Sequence, residues 1–443
     1  MDLIGSLQAK YRNDSDLLLQ RTFLANIPIT LIGFNSLIDL PQTMLLLQLK
    51  VQNAISSNQP IDDLLNGIGN ILLHPDESAL VAEMVKGQLL LFIEHRGIWV
   101  NVTPTAPVLT RAIEAPTTEN VMRGSISAFN EDIETNIGIM KKQLNSPQLH
   151  TKSYWLGTIQ RKRLALLYVE GRVDSKLLHA IVERIESHLE QDVQDLKSLN
   201  KVLGFTDWTL VTNYNTTELP ENASNALMRG KAVLLLDRFP YALILPSSLW
   251  DMFAVENDRN FPIVFMALMR LLRIGGVLGN ILMPGLYVAL VSVNPDVLRI
   301  ELALSIAESR AGVPYPAFIE TILLLFVLEL ILEASVRLPK SIGPTITMVG
   351  GIILGQAVVA AKLVSNLLII ILAATFIASS TVSGFQNSIS IRMFKYVILI
   401  LSAIYGVLGL LSGLVLICAY VASVTSFGVP YLQLPKPKDE SNG

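Results

Sequence analysis

The strongest constraint on this sequence is the uneven distribution of its apolar and charged residues. The stretch from Ile274 to Val424 is dominated by Leu, Ile, Val, Ala and Gly, whereas residues 1–240 hold most of the Asp, Glu, Lys and Arg. Charged residues make up only 16% of the chain, compared with about 25% in a typical soluble domain. We therefore predict an integral membrane protein whose water-soluble N-terminal portion ends near Phe261.

The C-terminal portion contains apolar segments of the length that a membrane span requires, about 20 residues. Five spans are predicted, at 274–293, 318–336, 342–364, 367–385 and 396–421. The segment from Pro295 to Arg310 is too polar to span and is expected to lie in the membrane interface. We assign residues 261–425 to the membrane domain and 426–443 to a short tail. With five spans the tail lies on the side opposite to the N-terminal portion, and one span more or fewer reverses this.

The N-terminal portion alternates between strand-like and helix-like patterns. Short buried strands are predicted at 89–94, 163–170, 230–237 and 241–245, where apolar runs are bounded by turn residues. We predict two small α/β subdomains, residues 1–110 and residues 111–260, the second with a helical linker. The predicted fold class is therefore α+β/α, with two α/β subdomains followed by a multi-span all-α membrane domain.

Composition and motifs exclude several classes of function. The net charge of −3 gives no electrostatic basis for nucleic-acid binding. The single cysteine, Cys418, and the five histidines form no metal-ligand pattern, and no catalytic motif is present. We expect no enzyme activity, no cofactor and no metal. The N-terminus lacks a secretory signal, and the predicted loops on its side of the membrane carry the larger share of Arg and Lys. Both features favour a cytosolic N-terminal portion.

The second predicted span carries acidic residues, which are costly in a bilayer and therefore candidates for function. Glu329 and Glu333 are four residues apart on one helical face, and Arg337 is four residues beyond Glu333. One interpretation is an ion path or a polar hub between subunits. The alternative is a packing network formed by Glu329 and Glu333. For Glu320, near the start of the span, we favour a position at the membrane interface.

Two further features of the spans concern helix packing and gating. Pro284 and Gly285 lie at the centre of the first span, where Pro removes a backbone donor and permits a kink. Gly350, Gly351 and Gly355 lie in the third span, and small residues let helix backbones approach closely in lipid. A pore or subunit contact is one interpretation of these glycines. Packing within the chain is the one we favour.

Several segments together resemble the A subunits of GerA-type spore germinant receptors. They occur in the family's order and spacing over nearly the whole chain, at 119–137 (ENVMRGSISAFNEDIETNI), 284–290 (PGLYVAL), 309–316 (SRAGVPYP), 329–339 (ELILEASVRLP), 349–357 (VGGIILGQA) and 426–431 (SFGVPY). Each motif alone has low specificity, whereas the ordered set is highly specific.

The resemblance implies a subunit of a nutrient-sensing complex in the inner membrane of a dormant spore. It implies two partners, a multi-span B subunit that recognises the nutrient and a lipoprotein C subunit. It also implies a homo-oligomer, pentameric in the family, that forms a ligand-gated cation channel. From the residues alone, a non-conducting membrane scaffold and a secondary transporter remain as alternatives.

Overall fold

The computed structural model describes residues 3–24, 27–56, 65, 67–105, 116, 119, 125–206, 208–254, 258, 261–338, 343–379, 381 and 384–433. Contacts divide the described residues into two compact units. The N-terminal unit lies within 1–208, 213–247 and 426–429, and the helical unit lies within 209–212, 248–425 and 430–443.

The first half of the N-terminal unit is a five-stranded antiparallel sheet with helices packed on it. Its elements are α1 (Leu3–Lys10), β1 (Leu17–Leu24), β2 (Ile27–Phe34), α2 (Leu40–Ser56), β3 (Asn70–Leu72), α3 (Glu77–Val85), β4 (Leu89–Ile93) and β5 (Ile98–Val102). The strand order is β1-β2-β4-β5-β3. Asp76 caps α3 by accepting a hydrogen bond from the backbone N–H of Ala79, which satisfies one of the unpaired donors of the first turn.

The second half is another five-stranded antiparallel sheet. Its elements are α4 (Ile133–Leu144), β6 (Leu149–Leu156), β7 (Lys162–Val169), α5 (Ser175–Glu186), α6 (Leu196–Val202), β8 (Asn215–Thr217), α7 (Pro220–Met228), β9 (Ala232–Leu236) and β10 (Ala242–Leu245). Side chains alternate between the two faces of the sheet, so that Leu164 and Leu166 face one core while Ala165 and Leu167 face another. Helices α5 and α6 cover the first face, and α4 and α7 cover the second.

The two halves share one topology. The strand order in the second sheet is β6-β7-β9-β10-β8, which repeats the order of the first sheet strand for strand. Each half also begins with a helix before its first hairpin and places helices between its second, third and fourth strands. The N-terminal unit is therefore a structural duplication. The strands predicted at 89–94, 163–170, 230–237 and 241–245 are confirmed as β4, β7, β9 and β10.

The helical unit consists of apolar helices that match the predicted spans in position. They are α8 (Ile263–Val288), α9 (Ile300–Ser309), α10 (Ala317–Arg337), α11 (Gly343–Ala360), α12 (Asn366–Ser379) and α13 (Phe385–Ser423). A π-helical turn, Ala289–Val293, extends α8. Helix α9 occupies the segment expected in the membrane interface, and none of its residues is buried. Each of the five predicted spans overlaps one of the helices α8 and α10 to α13.

Helix α13 is folded back on itself at Gly406. Gly406 has φ 63° and ψ −137°, a backbone conformation that is essentially restricted to glycine. The aromatic rings of Phe394 and Tyr420 lie 6.1 Å apart, whereas 26 residues of straight helix would separate them by about 39 Å. The two arms, residues 385–405 and 407–423, are therefore antiparallel and form a helical hairpin. Asn294 Oδ1 accepts a hydrogen bond from the N–H of Val407 at 3.0 Å and caps the second arm.

The prediction of a single span at 396–421 is therefore wrong. Because the residues around Gly406 are as apolar as both arms, the sequence shows no polar break at the turn. The first arm is about 30 Å long and the second about 25 Å, at 1.5 Å per residue. The first arm thus matches the hydrocarbon core of a bilayer, about 30 Å, and the second, with about 17 residues, is at the short end of the range for a span.

The directions of the helices bear on the predicted position of the tail. Glu320, at the start of α10, and Tyr287, near the end of α8, both contact Ser365, which directly precedes α12. Helices α10 and α12 therefore start where α8 ends. After the hairpin, the backbone O of Tyr431 accepts a hydrogen bond from the N–H of Leu249 at 3.0 Å. The tail thus returns to the segment that precedes α8, and the side of the membrane on which it lies stays a prediction.

Two helices among the described residues are long and apolar enough to cross a membrane, by length and composition. They are Ile263–Val293 and Gln386–Ser423, and the second contains the turn at Gly406. Shorter apolar helices lie at Met348–Ala360 and Asn366–Ser379. A mostly helical, apolar C-terminal part is therefore present, while the number of crossings stays a prediction.

Candidate functional site

Helix α10 places Glu329 against the first arm of α13. The Glu329 carboxylate accepts a hydrogen bond from Arg392 Nη1 at 2.8 Å. Lys395 Nζ and Tyr396 Oη approach its other oxygen at 3.5 and 3.4 Å. The Lys395 side chain is only 8% exposed, whereas those of Arg392 and Glu329 are 19% and 26% exposed. We call Glu329, Arg392, Lys395 and Tyr396 the central charge cluster.

Glu333 and Arg337 form a separate ion pair within α10. Arg337 donates from Nη2 and Nε to Glu333 Oε1 at 2.6 and 2.9 Å, as the spacing of four residues predicts. Both side chains are exposed, 65% for Glu333 and 78% for Arg337. Glu329 instead takes its partners from another helix, so the structure does not bring Glu329 and Glu333 into one network.

Glu320 is fully buried among protein atoms. Its Oε1 accepts a hydrogen bond from the N–H of Ser365, and its Oε2 lies 3.4 Å from Arg310 Nε. A carboxylate at the start of α12 is stabilised by the positive end of the helix dipole. Ser365 also contacts Tyr287 through their hydroxyl groups at 3.0 Å. Glu320 therefore joins α10 to α12 and, through Ser365, to α8.

The predicted packing glycines fall into two groups. A Cβ on Gly285, which follows Pro284 in α8, would lie 2.8 Å from Ile398 and 2.9 Å from Ser402. Gly285 thus permits the close approach of α8 to the first arm of α13. Gly350, Gly351 and Gly355 differ, because no described atom lies within 4 Å of a Cβ built on them. The structure does not place this face of α11 against another described helix of the chain.

Sequence reasoning missed the partners of Glu329. Arg392 and Lys395 read as basic residues that flank the start of the last span, and the apolar pattern gives no sign that they face another helix. Their spacing, with Tyr396 one residue further, places all three on adjacent positions of one helical face. That spacing, opposite an acidic residue in a neighbouring span, was the one available signal.

The N-terminal unit has a buried ion cluster of its own. Lys141 Nζ lies 2.8 Å from Asp16 and 3.4 Å from Asp14. The side chain of Lys141 is 5% exposed, and both carboxylates are fully buried. Asp16 also accepts hydrogen bonds from the backbone N–H and the hydroxyl of Ser36 at 2.9 and 2.6 Å. Burial raises the pKa of Asp14, and the charge of Lys141 acts in the opposite direction. We call these four residues the N-terminal ion cluster.

Neither cluster has the composition of a metal site. Within the residues that the structure describes, no group of three or more His, Cys, Asp and Glu side chains is placed to hold a metal ion. The fold therefore defines a two-part protein, in which a duplicated α/β unit precedes a unit of apolar helices held together by buried and half-buried ion pairs.

The family model described as Bacillus/Clostridium GerA spore germination protein matches residues 5–442, and the chain belongs to this family. The resemblance inferred from the motifs is thereby confirmed. The chain is 34% identical to spore germination protein GerLA of Bacillus cereus over 321 residues, which cover 72% of this chain and 65% of that protein.

It is also 28% identical to spore germination protein A1 of Bacillus subtilis (strain 168) over 439 residues, covering 97% of this chain and 89% of the relative. Among solved structures, the N-terminal domain of the A subunit of the Bacillus megaterium spore germinant receptor GerK3 matches with a TM-score of 0.40 and 18% identity. This match covers 54% of the chain and 92% of that structure.

Proposed function

We propose that this chain is the A subunit of a nutrient germinant receptor, and that copies of it assemble into a gated cation channel that triggers spore germination. The single observation that carries the channel role is the central charge cluster. Four polar side chains lie between two apolar helices, and an intramembrane carboxylate is retained only where it has a partner or a task. In this proposal Glu329 stabilises the wall of the ion path where α10 contacts α13. Glu333 and Arg337 line the ion path.

The exposed charges of α10 support an assembly of several copies. A Glu333–Arg337 pair on the outer face of an apolar helix is costly against lipid and is tolerated against water or protein. The face of α11 that carries Gly350, Gly351 and Gly355 has no described neighbour in the chain. Small residues on such a face favour close helix contacts between subunits. We propose a pentameric homo-oligomer surrounded by the lipid bilayer.

The proposed topology follows from the hairpin. Helices α8, α10, α11 and α12 and the two arms of α13 give six crossings, so that the tail and the start of α8 share one side. We propose that this side is the cytosol, with the N-terminal unit, in the inner membrane of the spore. The proposed partners are a multi-span B subunit that recognises the nutrient and a lipoprotein C subunit. No enzyme activity is part of this function.

Neutralising the two carboxylates of α10 tests the channel role. Spores that carry Glu329→Gln together with Glu333→Gln are expected to release monovalent cations more slowly after nutrient addition. Immunoblotting of the membrane fraction checks that the amount of protein is unchanged. The matched control is Glu308→Gln, which removes an exposed carboxylate from α9. Cation release at the wild-type rate from the double variant would contradict a role for these carboxylates in the path.

A non-conducting scaffold is the second candidate. Its support is the N-terminal unit, which accounts for more than half of the chain and has the size of a partner-binding module. In that case other proteins conduct the ions, and the purified complex shows no ion flux in liposomes. A secondary transporter receives less support, since such folds are commonly built from inverted repeats and none is evident among the spans.

A further inference from the structure

We infer that the central charge cluster is the lock that holds the ion path closed. This inference rests on the proposed function and adds to it the regulation of the same site. In the closed state Arg392 and Lys395 occupy the Glu329 carboxylate. Opening separates α10 from the first arm of α13 and releases Glu329 to permeating cations.

The charges of the cluster fit a closed state. One carboxylate faces two basic side chains, with Arg392 at 2.8 Å and Lys395 at 3.5 Å from Glu329. A cluster with one negative and two positive charges repels a cation that enters it. Glu329 therefore contributes nothing to cation passage while both partners remain in place. Without its two basic partners, the Glu329 carboxylate attracts cations, and the low-dielectric environment strengthens this attraction.

The geometry of the cluster fits a contact that can open. Only Arg392 makes a hydrogen bond of ordinary length to Glu329, at 2.8 Å, while the contacts from Lys395 and Tyr396 are 3.5 and 3.4 Å long. Arg392 Nε is buried with no hydrogen-bond partner among the described residues. The two helices are thus joined here by one strong bond and two weak ones.

The Glu333–Arg337 pair provides an internal comparison. Its two members belong to the same helix, four residues apart, so that the pair moves with α10 and is kept when α10 leaves α13. The Glu329–Arg392 pair connects two helices and is lost by the same movement. Only the second pair has different energies in the closed and open states, which is the condition for biasing such an equilibrium.

Substitution of Arg392 tests the lock, because it frees Glu329 without removing it. The receptor complex is purified with wild-type or Arg392→Gln subunits and reconstituted at equal protein amounts in potassium-loaded liposomes. We expect Arg392→Gln to raise K⁺ leakage in the absence of nutrient by about tenfold, as for a tenfold shift in the population of the open state. Arg299→Gln, which removes an exposed arginine directly before α9, is the matched control and is expected to leave leakage at the wild-type level.

A charge exchange excludes a general loss of structure as the cause. The double variant Glu329→Arg with Arg392→Glu restores an ion pair between the helices and is expected to return the leakage to within about twofold of wild type. Leakage from the exchanged variant as high as from Arg392→Gln would overturn the lock.

A mixture of amino acids and sugars is added to the wild-type liposomes in the same experiment. If the wild type then releases K⁺ while Arg392→Gln shows no increased leakage without nutrient, the proposed lock is contradicted and the proposed channel is supported. If wild type and Arg392→Gln both remain silent throughout, the channel and the lock fail together.

Discussion

The two ion clusters of the molecule differ in how completely their charges are satisfied. In the N-terminal ion cluster, Lys141 lies between two fully buried aspartates, and the hydroxyl and backbone N–H of Ser36 bind Asp16. In the central charge cluster, a half-buried Glu329 is shared by two basic residues, and one Arg392 nitrogen has no partner among the described residues. The first arrangement stabilises a single structure. The second permits another arrangement in which α10 and the first arm of α13 are separated.

The difference separates a structural network from a regulatory one. Fully satisfied buried networks rigidify a core, because removal of any member leaves a desolvated charge without a partner. A cluster with incomplete hydrogen bonding loses less interaction free energy when its helices separate. The N-terminal unit is therefore expected to behave as a rigid module, and the contact between α10 and α13 as the movable one.

The largest expected effect comes from breaking the N-terminal ion cluster. Lys141→Met leaves Asp14 and Asp16 as buried carboxylates without a cation, and we expect it to destabilise the N-terminal unit by about 3–5 kcal/mol. Hydrogen exchange of α4 and β1 in the purified protein measures this loss. Lys142→Met, at the exposed neighbouring position, is the control and is expected to have no measurable effect.

The same variant has a pH dependence with a defined sign. Because burial raises the pKa of Asp14, the folded unit takes up a proton there at a higher pH than the unfolded chain does. The cost of the buried charge is present above the raised pKa and disappears as the pH falls towards the ordinary value, about 3.9. The deficit of Lys141→Met is expected to shrink over that window. A deficit that grows on acidification would contradict the assignment of the cost to buried carboxylates.

A smaller effect is expected at the hairpin turn of the helical unit. Gly406→Ala places a methyl group against Asn294 and forces φ 63° on a residue with a side chain. We expect a loss of about 3 kcal/mol, measured as a lower midpoint of thermal unfolding in detergent. Gly275→Ala is the control, since a Cβ built on this glycine of α8 meets no described atom within 4 Å. Equal midpoints for both variants would contradict the folded-back arrangement of α13.

The smallest effect is expected from the exposed pair on α10. Arg337→Gln removes an ion pair within one helix whose members are both largely exposed, and such pairs contribute less than about 0.5 kcal/mol. The midpoint of thermal unfolding is therefore expected to stay within experimental error of the wild type. A loss as large as that of Gly406→Ala would show that Arg337 is part of the packed structure.

Periodicity and local spacing explain which features were predictable from the sequence. The apolar runs located the helices, and the apolar run around Leu164, bounded by turn residues, located a buried strand. The pairing of Glu333 with Arg337 depends only on the geometry of one helix, so that its spacing was sufficient. These features share a physical basis, because each is decided within a few residues of the chain.

The features that were not predictable depend on contacts between distant segments. The partner of Glu329 is set by the packing of α10 on α13, which no local pattern encodes. The turn at Gly406 is stabilised by Asn294, more than a hundred residues earlier. The burial of Glu320 depends on Arg310 and on the start of α12. In each case a tertiary contact decides the role of a residue that has an ordinary local environment.

Ion flux through the purified complex tests the central claim most directly. Liposomes loaded with potassium and reconstituted with the complex are exposed to a mixture of amino acids and sugars, and K⁺ release is recorded. We predict release from the wild-type complex that slows when the subunit carries Glu329→Gln and Glu333→Gln. A wild-type complex that stays tight, in liposomes where the Arg392→Gln subunit is equally tight, would contradict the claim that this chain forms the ion path.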